Sequence, residues 1–439
     1  MEKYRSKIVE TTCELVRMPS VCEEGGTFLF GKDIDKCLDK ALEIFADMGF
    51  RTFKAEDGAY GYAEIGEGEE MLGILGHLDV VSARMEDGWK HNPFEPVVED
   101  GFICGRGAQD DKGPIVAAAY ALKAVLDEGY RLNKRVRFIF GLDEETLWRS
   151  IAKYIEREEA PTMSFSPDSE FPLTYAEKGL LQVLFKSKEA SAVSFKGGHS
   201  FNAVSSAAEC KYEEKLENAM KELGYAYHVE SDRLVAEGVS VHAKDPWKGV
   251  NANLHLIEAM KKAGYEDKAI SFISDVFNDK FRFEGFTSED LSDFSGPVSV
   301  CFSRMTGDEN GVVLSVDLRL PVTLEKQKVM DLMAAKAAEY GFELEQFDWL
   351  RSIYVPKDSE LIQGLMKAYQ DVTGDTENEP VISAGATYAR GFDNCVAFGA
   401  IFPGEEMTEH EPNERASIDG LVRAAEVFKK VFINLATEK

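Results

Sequence analysis

Short apolar runs that each lead into a histidine or carboxylate constrain this chain more than any other feature. MLGILG (71–76) is followed at once by His77 and Asp79. RVRFIF (135–140) leads to Glu144 and Glu145, and MSF (163–165) leads to Asp168. NCVAFGAIF (394–402) precedes His410 by several residues. Apolar runs without polar alternation read as strands buried on both faces. Between them lie patterns with apolar residues at three- and four-residue spacing, as in IDKCLDKALEIFADM (34–48), which predict amphipathic helices. Residues 113–127 open on a Gly-Pro break and then read as helix, and a further helix is predicted over about 147–157. This βαβ rhythm predicts an α/β domain with a doubly wound, mostly parallel sheet. Ligands of such sheets gather outside the carboxyl ends of the strands.

From about residue 180 the pattern changes. Strand-like LLQVLF leads to Gly197–Gly198, and helices are predicted near 204–223 and 249–263 with a hairpin at 224–237 between them. A Gly-Asp-Glu-Asn-Gly turn precedes the strand VVLSVDLRL (312–320), and a helix follows near 324–340. This is an α+β pattern. After Pro356 a long helical segment, a polar loop at 371–380 and the 394–402 strand return to the first pattern. We therefore expect a discontinuous catalytic domain, 1–179 and 353–439, with a lid domain inserted at 180–352. At 439 residues the chain exceeds one ordinary core, which agrees with two domains.

Asp and Glu total 78 against 50 Lys and Arg, a formal net charge of −28. Nucleic acid and anionic membrane both call for a basic footprint, so neither is expected as a partner. No apolar stretch is long enough to span a bilayer, and MEKYRSKIVE has no apolar signal core. The seven cysteines are scattered, without a CxxC pair, and read as reduced thiols of a cytoplasmic protein.

The strand-end residues suggest a chemistry. Taken alone, a histidine after a strand is more often a hydrogen-bonding residue, and an Asp before a helix is more often an N-cap. Together, His77, Glu144 or Glu145, Asp168 and His410, with Asp110 in GRGAQDDKGP (105–114), form the mixed imidazole and carboxylate set that binds zinc and similar divalent ions. A carboxylate with two oxygens can bridge two cations, and metal binding brings the pKa of water from about 15.7 to roughly 7. One of Glu144 and Glu145 can ligate while the other moves the proton. Asp79, two residues from His77, can orient that imidazole.

GHLDVV (76–81), GRGAQDDKGP (105–114), GLDEETLW (141–148), FSPDSEFP (165–172) and EHEPNE (409–414) resemble, in order, the motifs of the co-catalytic zinc aminoacylase/carboxypeptidase family. Within it the chain is similar to the dipeptidase V branch, related to carnosinases and succinyl-diaminopimelate desuccinylases. The similarity continues at GVSVHAKDPWKGVNA (238–252) and SAGATYAR (383–390).

The resemblance implies two metal ions, zinc first, with manganese or cobalt as alternatives. It places His77, Asp110 and Asp168 on one ion, and Asp110, Glu145 and His410 on the other. Glu144 would be the general base and Asp79 the orienting acid. His242 of the lid would stabilise the oxyanion, and Asn202 and Arg319 would hold the substrate's carboxylate. The expected activity is dipeptide hydrolysis by a metal-bound hydroxide in a monomeric enzyme. The alternative is N-acyl-amino-acid deacylation at the same two metals. A protein that keeps the fold only to bind is disfavoured because Glu144 is present with all five ligands. His91, His199, His228 and His255 stand in no ligand context.

Overall fold

The computed structural model describes Met1–Glu438, and it divides into two compact units. The first comprises Met1–Ala176, Ile353–Ile382 and Thr387–Lys439; the second comprises Glu177–Ser352 with Ser383–Ala386.

The centre of the first unit is parallel. Met71–His77, buried at every residue, pairs in parallel with Arg135–Gly141 from Met71↔Arg135 to His77↔Gly141. Met163–Ser166 lies on its other side, and Cys395–Ala397 extends the parallel set. The flanks turn antiparallel, through Gly61–Ile65 with Arg51–Lys54 at one side and Thr174–Glu177 at the other. Because these strands run the same way, the residues that follow His77, Gly141 and Ser166 all emerge at one end of the sheet.

Apolar spacing accounts for the helices that cover it. Helix Lys32–Asp47 buries Ile34, Leu38, Ala41, Leu42 and Phe45. Phe45 packs on Phe138 and Phe140 at 4.9 and 5.1 Å between ring centroids. Alternate strand residues point the other way: Leu75 and Ile139 join Ile151, Tyr154 and Tyr388 in a second cluster. The sheet is therefore covered on both faces. Helix Lys112–Asp127 starts before the Gly-Pro pair, which falls in its first turn, where proline's missing N–H costs no helical bond. Gly141 is required by packing, since a Cβ there would stand 2.0 Å from the Tyr388 ring.

The 394–402 strand divides in two. Cys395–Ala397 stays in the main sheet, whereas Ala400–Ile401 pairs with Ser169–Glu170. The chain turns at Gly399, with φ +77° and its Cα against the Phe171 ring. A separate three-stranded sheet of Val97–Glu99, Phe102–Cys104 and Arg415–Ser417 brings the segment around residue 414 beside Gly105.

The second unit is α+β. Eight antiparallel strands run in the order Tyr227–Glu230, Arg233–Glu237, Ala207–Lys211, Phe195–Gly197, Ser299–Asp308, Gly311–Leu320, Gly179–Ser187 and Glu343–Leu350. Helices Glu214–Leu223, Ala252–Lys262, Lys268–Phe277 and Lys326–Glu339 pack on one face, over Leu181, Val183, Phe185, Leu314, Val316 and Leu318. Residues of the opposite parity, among them Gln182, Ser315, Asp317 and Arg319, face away from the helices. The helix predicted from 204 begins only at Glu214. Residues 207–211 are instead a strand, held between Phe195–Gly197 and Arg233–Glu237, and this pairing overrides the helical preference of Ala207 and Ala208.

All seven cysteines are free thiols. Among the described residues no helix is long and apolar enough to cross a membrane.

Candidate metal centre

The five sequence-predicted ligands meet at the carboxyl end of the parallel strands. His77 Nε2 lies 2.8 Å from Asp110 Oδ1 and 3.8 Å from Asp168 Oδ2. His410 Nε2 lies 3.1 Å from Asp110 Oδ2 and 3.0 Å from the Glu145 carboxylate. Asp110 thus turns one oxygen to each histidine, as a bridging carboxylate would. Ligand atoms of His77, Asp110 and Glu145 all fall within 4.8 Å of one another. Metal–ligand bonds near 2.0 Å in a tetrahedron put neighbouring ligand atoms roughly 3.3 Å apart, which matches this spacing.

The charges also fit divalent cations. Asp110, Glu144, Glu145 and Asp168 have no Lys or Arg ion pair among the described residues. Burial, reinforced by the neighbouring carboxylates, pushes Glu144 and Asp168 well above the usual carboxylate range. Burial raises Glu145 too, against its bond to His410. Burial works against the charged form of His77, but Asp110 and Asp79 outweigh it and raise its pKa well above the ordinary value. Hydrogen bonds to Asp110 and Glu145 raise His410 to about 11. Such a concentration of acids needs positive charge, and the donors are oxygen and imidazole nitrogen, the set that zinc, manganese and cobalt accept.

His77 and the Glu144–Glu145 turn are held from behind. His77 Nδ1 lies 2.9 Å from the backbone carbonyl of Asp79, which leaves Nε2 to face the cluster. The Asp79 carboxylate is farther from that nitrogen, at 3.5 Å. It instead accepts the backbone N–H groups of Glu144 at 3.1 Å and Glu145 at 3.0 Å. Asp79 thus orients the histidine through its carbonyl and fixes the glutamate turn through its carboxylate. The turn is further tied by Trp148, whose indole N–H donates to the Glu144 carbonyl at 2.7 Å. His410 adopts a left-handed backbone, φ +63°, at an exposed loop position.

Sequence reasoning missed Glu414. Its carboxylate is fully buried and accepts from Arg106 Nη1 at 2.7 Å and from the N–H groups of Gly107, Gln109 and Asp110 at 2.9, 2.8 and 3.1 Å. It therefore shapes the loop that presents Asp110. The signal was present, as Glu414 ends the EHEPNE motif, but nothing local links it to residue 110. Asp111 was missed as well; it is buried and accepts the His77 N–H at 3.3 Å.

The second unit holds the other candidates. Asn202 and His242 sit on adjacent segments, joined where the Ala243 N–H donates to the Asn202 carbonyl at 2.8 Å and the Val204 N–H to the Val241 carbonyl at 2.9 Å. His242 is exposed, and its Nδ1 accepts the Lys244 N–H at 3.1 Å, which puts the proton of the neutral ring on Nε2. Desolvation of the ring, then Arg319 and Lys244, lower its pKa to about 4. Arg319 is buried, with Nε and Nη2 on the Asp317 carboxylate at 2.8 and 3.3 Å and Nη1 on the Ala384 carbonyl at 2.8 Å. The other histidines have surroundings of their own. His91 lies 3.6 Å from Glu99 and His228 2.7 Å from Glu237, His255 stacks on Tyr225, and His199 is exposed.

The model of peptidase family M20/M25/M40 matches residues 73–434. A Staphylococcus aureus protein (strain bovine RF122 / ET3-1), provisionally named a dipeptidase, is 33% identical over 470 residues, covering 100% of this chain and 99% of its own. The chain belongs to peptidase family M20/M25/M40. Solved structures share the fold. Human carnosine dipeptidase 1 aligns with a TM-score of 0.61 at 16% identity, over 99% of this chain and 96% of its own. The M20 family metallo-carboxypeptidase Sso-CP2 from Sulfolobus solfataricus aligns with a TM-score of 0.60 at 20% identity, over 97% and 98%. The protein is accordingly a metallopeptidase, with a catalytic α/β domain and an inserted α+β domain of the family's kind.

Proposed function

We propose that the chain is a metal-dependent dipeptidase, with His77, Asp110 and Asp168 holding one divalent cation and Asp110, Glu145 and His410 the other. The observation that carries this reading is Asp110, with one carboxylate oxygen toward each histidine. The full-length similarity to a protein named as a dipeptidase supports the substrate class. When bound, the two cations supply Lewis acidity and neutralise the surplus of carboxylates.

The remaining work falls to this chain's own groups. Glu144 takes a proton from the attacking water and returns it to the departing amine. The Asp79 clamp on the Glu144 and Glu145 N–H groups keeps that carboxylate in a fixed place beside the ligands. His242, neutral and with its proton on Nε2, offers a donor to the developing oxyanion. Arg319 keeps guanidinium N–H groups beyond those used on Asp317 and Ala384, and with Asn202 it would hold the dipeptide's terminal carboxylate. We further propose that the enzyme acts as a monomer in the cytoplasm, in keeping with its seven free thiols.

The test is a panel of dipeptides and N-acyl amino acids on metal-stripped protein refilled with zinc, manganese or cobalt. Dipeptide turnover restored by metal is the expected result. Turnover of N-succinyl or N-acetyl amino acids with none of dipeptides would replace the dipeptidase by a deacylase.

A further inference from the structure

The helix-free face of the second unit's sheet carries a cavity of about 540 Å³, within the range of small-molecule sites. Its lining includes Lys196, His199, Glu209, Arg304, Thr306 and Ser315. The strand registers explain the grouping. Lys196 lies opposite both Thr306 and Glu209, and Arg304 lies opposite Ser315. These side chains share one face by the alternation of the strands.

Two arginines of this face, Arg304 and Arg319, are treated differently. Arg319 has its charge answered by Asp317 through two nitrogens. Arg304 has no carboxylate partner among the described residues. Its Nε donates to Ser315 Oγ at 3.2 Å, and its guanidinium lies 4.0 Å from the centre of the Phe201 ring. That ring is buried and stacks on Phe347, so it is a firm platform. Burial lowers the Arg304 pKa, the sign of a cation with too little compensation. Glu209 does not supply it, because Glu209 already binds Lys196 at 2.9 Å and Arg233 at 2.8 Å. In a chain with 28 more acids than bases, a half-buried, oriented and unpaired guanidinium facing a cavity is a costly arrangement without a ligand.

We propose that this cavity is a binding site for a small oxyanion, a carboxylate or a phosphate, gripped by the free edge of Arg304 with His199 beside it. A guanidinium fork held flat on an aromatic ring suits two-point recognition of either group. The site lies within the second unit and does not depend on the proposed reaction.

The test counts bound anions. Metal-loaded enzyme and its Arg304→Gln, Arg304→Lys and His199→Ala variants are dialysed to equilibrium against radiolabelled phosphate and, separately, radiolabelled acetate. Subtracting variant from parent removes any anion held at the metals, which is common to both. The expected result is one equivalent more in the parent, with affinity about ten- to a hundredfold lower in Arg304→Gln and an intermediate loss in Arg304→Lys. A gain for phosphate alone assigns a phosphorylated small molecule, and a gain for acetate alone assigns an organic acid or a peptide carboxylate. Circular dichroism checks that the variants fold. Should Arg304→Gln not fold, the exposed His199→Ala carries the comparison, with weakened binding expected. Equal stoichiometry and affinity in the parent and every folded variant, for both anions, overturns the proposal.

Discussion

The two units hold their candidate residues in opposite ways. In the first, ligand-bearing turns are clamped by buried carboxylates that accept backbone N–H groups: Asp79 for residues 144 and 145, Glu414 for residues 107, 109 and 110. In the second, His242 stands exposed on a segment fixed by a few backbone bonds, and Arg319 is tied mainly to its own neighbour Asp317. The contrast separates two demands. A site for two cations needs donor atoms set in advance, because a ligand displaced by an ångström no longer binds. Groups that meet a substrate can tolerate looser support, since the substrate itself completes the geometry.

Substitutions can break this comparison, beginning where the largest change is expected. Glu144→Gln should lower kcat by about 10² to 10⁴ while the metal content, read by elemental analysis, stays at the parent value. A loss of metal instead would make Glu144 a ligand. His242→Ala should cost about 10² to 10³ in kcat, with metal content and melting temperature little changed. An unaltered kcat would remove it from the reaction. Glu414→Gln should weaken metal binding by about 10- to 100-fold and lower the melting temperature, because Arg106 and three N–H groups lose a buried charge partner. Metal titration with a chromophoric chelator reads that effect, and unchanged affinity would show the clamp to be dispensable.

The smallest effect concerns pH. The folded-state pKa of His242 is about 4, below the ordinary value near 6.5. The unfolded chain therefore binds this proton first as pH falls, so the residue subtracts stability progressively from about pH 6.5 toward 4 and has no effect above that window. Denaturant midpoints of the parent should fall slightly more steeply over this range than those of His242→Gln. Above neutral pH the two slopes should coincide.

The parts of the site written in one stretch of chain were legible in the sequence. Apolar runs announced the strands, and what followed them named His77, Glu144, Glu145 and Asp168. Glu414 was not legible, because its role is a contact across 304 residues to Asp110, and a lone Glu carries no sign of burial. Asp79 was noticed, yet its carboxylate serves the Glu144 turn more than His77, a division of labour set by how strands 71–77 and 135–141 end side by side. In the second unit the strand at 207–211 was hidden by two alanines. Ser299–Asp308 was not assigned, although it is central to its sheet and carries Arg304.

The Glu414 clamp also orders events in time. The Asp110 loop leaves the ribosome long before its partner exists, and at about 5 to 20 residues per second the intervening 304 residues take roughly 15 to 60 s. At the start of that interval only His77 and Asp110 are made; Glu145 and Asp168 follow within it, while the loop still has no Glu414 to shape it and His410 has not been added. On the proposed ligand set, such a nascent chain cannot assemble both cation sites until the segment that carries His410 and Glu414 has been added.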